Sequence, residues 1–143
     1  MPVNKEHKEF HQVDLTSGWE TPAGYPRGIE QKILAGALDE KNKRGTRSRL
    51  LRFAPGVFTT APFVHDYWEE VYLVSGDLTV GNDAQGKGGT PFPPNTYACR
   101  PPAHITDRSS PRTAACSLNC TITTRCNIEH ALMRGRGKIL HHR

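Results

Sequence analysis

The stretch Ala61-Pro62-Phe63-Val64-His65-Asp66-Tyr67-Trp68-Glu69-Glu70-Val71-Tyr72-Leu73-Val74-Ser75-Gly76-Asp77-Leu78 decides how the chain is read. It places a histidine and a carboxylate four residues apart, then runs into an aromatic and β-branched segment that ends at a glycine. Imidazole and carboxylate are the usual ligands of a non-haem divalent metal. The Val71-Tyr72-Leu73-Val74 run predicts a strand. Glu69 and Glu70 are adjacent, so in a strand they face opposite sides, and Glu70 is expected at the solvent side or in a salt bridge.

Working outward, the 143 residues suffice for one domain with a real core. The 13 glycines and 11 prolines suit many short strands joined by turns better than a helical bundle. There is no apolar run near the length of a bilayer span and no charged-then-apolar leader, so the expectation is a cytoplasmic protein without a membrane partner.

Downstream of the strand, Gly81-Asn82-Asp83-Ala84-Gln85-Gly86-Lys87-Gly88-Gly89 nearly spells a phosphate-binding loop. Gly88 replaces the required Ser or Thr, and Gly89-Thr90-Pro91-Phe92-Pro93-Pro94 cannot open a helix, so a hairpin loop is expected instead. Asn95 to Arg100 reads as another strand, and Pro101-Pro102 begins a turn. Upstream, Arg49 to Phe53 reads as a strand followed by the turn Ala54-Pro55-Gly56-Val57, and Asp39 to Thr46 as a charged, solvated connection. Ile29 to Leu38 suits either a strand or a short helix. Residues 1–27 read as an N-terminal arm with one short strand around Gln12 to Leu15. His7 and His11 stand at helical spacing there, although solvated histidines are the better reading of a terminus.

These residues together resemble the first signature of the cupin superfamily, His-x-His, then a Glu after three or four intervening residues, then a Gly after six more. Glu69 and Gly76 keep that spacing, and His65 falls at the second histidine. Phe63 stands at the first. The second signature, a Pro and Gly followed by a metal-binding His, matches Pro101-Pro102-Ala103-His104 in part. The resemblance covers about residues 29–102, and this body looks like the small single-domain cupins related to acetylacetone-cleaving dioxygenases and to the cupin domain of zinc-dependent anti-sigma factors.

The resemblance implies an all-β cupin (double-stranded β-helix or jelly-roll barrel) over residues 28–102. It implies a divalent metal, iron, zinc or manganese, held by His65, Glu69 and His104, with Tyr67 or Tyr72 lining the cavity. It also implies a small-molecule substrate or ligand and a homodimer. The activity implied first is a metal-dependent dioxygenase acting on a small carbonyl compound. A non-catalytic regulatory cupin that binds metal or ligand is the alternative.

Residues 103–143 are expected to be an irregular basic tail. All 11 aromatic residues precede position 103, whereas seven of the 19 basic residues and three of the four cysteines follow it. Such a change at one residue suggests the loss of a single base in the coding sequence near Ala103. With Ser117 and Leu118 taken in the codon families TCN and TTR, restoring it forces three successive apolar residues from Cys116, Ser117 and Leu118. With favourable free bases it yields GTYHGPFKSENGCLLFELHYYDPV, which contains a complete second signature and a closing strand. Sequencing the gene across codons 100 to 128 checks this reading, and an in-frame result would contradict it. Taken as it stands, the tail offers Cys116, Cys120, Cys126 and His130, whose spacing matches no standard zinc finger. It also offers the basic run Arg134-Gly135-Arg136-Gly137-Lys138. No aromatic residue is interleaved for base stacking, which argues against a nucleic-acid partner.

Overall fold

A computed structural model describes residues 4–111, together with the backbone of residues 115–123. The strands are β1 (Ile29–Asp39), β2 (Arg44–Phe53), β3 (Phe63–Val64), β4 (Trp68–Ser75), β5 (Leu78–Val80), β6 (Thr90–Phe92), β7 (Tyr97–Arg100), β8 (Ile105–Thr106), β9 (Ser109–Ser110) and β10 (Ala115–Thr123). No helix occurs among the described residues. The main sheet runs β1-β2-β10-β4-β7, a smaller one β6-β5-β9, and β3 pairs with β8.

The segment Ile29 to Leu38, open between strand and helix in the sequence, is a strand. Its antiparallel partner β2 turns it into a hairpin, with one bulge between Ile33 and Ala35. The charged connection shrinks accordingly to the four residues between Asp39 and Arg44. Asp39 closes it by accepting from the Asn42 backbone and side chain at 3.1 and 2.8 Å. Two glycines near the turn have no substitute. A Cβ on Gly36 would lie 2.1 Å from the Thr46 carbonyl oxygen, and one on Gly45 would lie 2.3 Å from that of Ala37, both at positive φ.

The N-terminal arm does not form the short strand expected at Gln12 to Leu15. It lies along the hairpin instead, tied by Asn4 to Ala37 and Thr46, by Lys5 to Ser48, and by one bridge between Glu20 and Gln31. His7 and His11 are not on a helix. Each binds Glu9, through its side chain and its carbonyl respectively.

The Gly81–Gly89 stretch is the hairpin loop between β5 and β6. The Asp83 carboxylate accepts from the Gln85 and Lys87 backbone N–H groups at 2.9 and 2.8 Å. It thereby fills the role that a phosphate would take in the motif the loop resembles.

The largest difference from the sequence expectation is β10. Residues expected in an irregular tail form a nine-residue strand between β2 and β4, in register Ser117↔Leu51 and Ser117↔Leu73. Two facing edges with unpaired N–H and C=O groups demand a strand whatever its side chains. Cys116-Ser117-Leu118-Asn119-Cys120-Thr121-Ile122 supplies enough β-compatible residues to fill the slot. Cys126, His130 and the basic run lie outside the described residues.

The core consists of Ile29, Leu51, Phe53 and Leu73, with Tyr25, Val57 and Leu78 packed against it. Alternation along β2 and β4 produces it. Leu51 and Phe53 are buried on one face of β2, and Glu69 and Leu73 on one face of β4, while Trp68, Tyr72 and Val74 are exposed on the other.

Candidate functional site

The inward face of β3 and β4 carries the site. Phe63, His65, Tyr67 and Glu69 are two residues apart and turn inward together, although the backbone bends at Asp66 and Tyr67 between the two strands. Their rings form a ladder with Tyr25 from the arm. Tyr25 stacks on Phe63 at 4.7 Å between centroids, Phe63 lies 6.2 Å from His65, and His65 lies 4.6 Å from Tyr67. Phe63 is therefore a packing element between two rings. At this position it offers no donor atom.

His65 and Glu69 meet as the motif implies, with Nε2 and Oε1 3.8 Å apart. Both are largely withdrawn from water, their side chains 17% and 7% exposed. Glu69 has a second partner that the sequence reading did not anticipate. It stands directly opposite Arg100 in the β4–β7 ladder, and Arg100 Nη1 donates to Glu69 Oε2 at 3.0 Å. Glu70 points the other way and accepts from the Tyr97 hydroxyl at 3.0 Å.

His104 does not join them. It is exposed, in the turn after Pro101-Pro102, where its backbone N–H donates to the Pro101 carbonyl. The preceding Ala103 donates to the His65 carbonyl at 2.8 Å and takes a left-handed φ of 63°. Of the predicted aromatics, Tyr67 is buried, and Tyr72 faces outward and donates to Asn95.

Two further arginines continue the inward face of β2. Arg49 is 2% exposed and donates from Nη1 to Gln31 Oε1 at 2.8 Å, with Nη2 3.4 Å from the Tyr25 hydroxyl. Nε of Arg47 and of Arg49 is buried without a hydrogen-bond partner among the described residues. Burial holds the His65 pKa below its ordinary value, and Arg49 and Arg47 push the same way against the opposing pull of Glu69. His65 is thus neutral near neutral pH. Burial raises the Tyr67 phenol to about 12, so it stays protonated.

The pattern Arg47-x-Arg49-x-Leu51-x-Phe53 was the signal for the β2 arginines, since they continue an apolar alternation inward. Arg100 could be found only by pairing its strand with β4 in register.

A cavity of about 70 Å³ opens at Tyr25, Phe63, His65, Glu69, Leu78 and Arg100. A second, of about 160 Å³ and more apolar, lies among Val71, Leu78, Val80 and Phe92, and Arg100 lines both.

The residues present do not fit a resident divalent metal. Among the described residues two donors meet rather than three, and one of them is already paired with a guanidinium. Two more cations stand near the histidine. Among the described residues no group of three or more His, Cys, Asp or Glu side chains could hold an ion.

Comparison of the fold with solved structures returns cupins. An RmlC-like cupin from Shewanella frigidimarina superposes with a TM-score of 0.58 at 15% identity, covering 88% of this chain and 99% of that one. An acetylacetone dioxygenase from Acinetobacter johnsonii gives 0.56 at 15% identity, covering 84% and 78%. A cupin-superfamily sugar phosphate isomerase from Silicibacter pomeroyi gives 0.56 at 19%, covering 80% and 76%. No family model matches the sequence, and no curated protein does. The chain therefore has the all-β cupin fold. No helix of the described residues is long and apolar enough to cross a membrane.

Proposed function

We propose that this chain is a ligand-binding cupin whose paired cavities take a small carbonyl compound. Arg100 carries the reading, because it lines both the polar cavity and the apolar one. A guanidinium has five N–H donors in a fixed fork, so one bond to Glu69 leaves others for a ligand oxygen. Val71, Leu78 and Val80 would receive the ligand's carbon body, and neutral His65 would add a polar contact beside it. Titration of the full chain with β-diketones and 2-oxo acids, followed by calorimetry, tests this. Saturable binding that weakens at least about tenfold in Arg100→Leu is expected, the loss of one charge-assisted hydrogen bond. Binding indifferent to that change would contradict it.

A second reading, a metal-dependent dioxygenase of a small carbonyl compound, is supported by the approach of His65 to Glu69 and by the similarity to the acetylacetone dioxygenase. It requires a further ligand and release of Glu69 from Arg100. Oxygen consumption with a β-diketone and ferrous iron would separate it from the first. The proposal includes a homodimer, supported by the exposed Trp68, Tyr72, Val74 and Tyr97 on the outer face of the main sheet and checked by light scattering. It also includes a cytoplasmic location, supported by the exposed free thiol of Cys99.

A further inference from the structure

We infer that Arg100 is the resident cation of this cavity and makes it independent of metal. The register Glu69↔Arg100 fixes the guanidinium across from the carboxylate on adjacent strands of one sheet. It is not a surface side chain that happened to swing in. Both carboxylate oxygens are addressed, Oε2 by Arg100 at 3.0 Å and Oε1 by His65 at 3.8 Å.

The position that the resembled motif gives to its first histidine is Phe63, whose ring lies between those of Tyr25 and His65 and carries no donor atom. A divalent ion entering here would have to displace a partly buried guanidinium, its side chain 19% exposed, from its carboxylate. The field from Arg47 and Arg49 would oppose it as well, since like charges repel strongly where water is scarce. The guanidinium supplies one positive charge and directed N–H donors. It can orient and polarise a carbonyl oxygen through hydrogen bonds, in a site built for binding without ligand exchange. This inference stands whichever organic ligand the cavity takes, because it is read from metal content alone.

The test is elemental analysis of the full chain purified from medium supplemented with iron, zinc and manganese. The parent protein and Arg100→Lys, which keeps the charge, are expected to carry no stoichiometric metal. The double variant Phe63→His with Arg100→Gln removes the guanidinium from Glu69 and adds a donor, and is expected to gain about one metal per chain that is lost again on His65→Ala. Stoichiometric metal in the parent, lost on His65→Ala, would overturn the inference. So would a double variant with parent-like circular dichroism that stays metal-free, since Arg100 would then not be what excludes the ion. If the double variant does not fold, Arg100→Gln alone decides. Metal affinity at least about tenfold above the parent supports the inference, as removal of one adjacent positive charge should give, and unchanged affinity contradicts it.

Discussion

The two segments that the sequence pairs as halves of one site lie side by side, Ala103 donating to the His65 carbonyl at 2.8 Å, yet they direct their histidines differently. His65 to Glu69 lies on an inward strand face, its rings stacked and its carboxylate paired. Pro101 to His104 is a turn whose histidine meets solvent. Both segments contain the residue types a metal site uses. Parity along a strand and register with its neighbour decide which of them reach the cavity. The first segment enters a strand paired on both sides, by β10 and β7, whereas the second leaves β7 at the double proline and loses its ladder.

Substitutions should reveal that contrast. The largest effect is expected at Leu73, 3% exposed on the inward face of β4. Leu73→Ala should cost about 3 kcal/mol, read as a lower denaturant midpoint at unchanged slope. A cost below about 1 kcal/mol would mean this face is not packed as described. Glu69→Gln comes next, at about 2 kcal/mol, because it leaves Arg100 with a neutral partner in a site mostly withdrawn from water.

A pH series gives a smaller effect on the same side. The folded-state pKa of His65 lies below its ordinary 6.5. The unfolded chain therefore takes up the proton first as pH falls. The contribution of neutral His65 is complete above the ordinary value and is lost as pH falls from there toward the folded-state pKa. Stability should decline on acidification through that window, and His65→Gln should flatten the decline. An equal slope in both would place the effect elsewhere.

The second segment should respond weakly and with opposite sign. Ala103→Gly relieves a left-handed alanine and is expected to stabilise by about 0.5 kcal/mol, the strain removed less the entropy glycine adds to the unfolded chain. His104→Ala should stay within about 0.5 kcal/mol of the parent.

The sequence makes the strand at Val71 to Val74 legible, because β-branched and aromatic residues are concentrated there. It also shows the β5–β6 loop through its glycines and the meeting of His65 with Glu69 through their spacing. The hairpin of β1 is less visible, since Ile33-Leu34-Ala35 has no clear period across a bulge. The arm looks like a strand at Gln12 to Leu15, yet it finds no open ladder there. Only its later bridge at Glu20 pairs with β1.

β10 is hidden for a different reason. Its composition is ordinary, and its strand state follows from two edges far away in sequence that need a partner. Arg100 is hidden likewise, since nothing local marks a strand-end arginine as buried. A charge that meets its partner across 31 residues becomes visible only once the register of β4 with β7 is known.

The most direct test of the Glu69–Arg100 pair as the organising contact of the cavity is a double-mutant cycle. Glu69→Gln, Arg100→Leu and the double variant would be compared with the parent by equilibrium unfolding. A coupling of about 2 kcal/mol is expected for a pair this close and this shielded. A coupling below about 0.5 kcal/mol would contradict the account, showing that the two residues are neighbours that do not depend on each other.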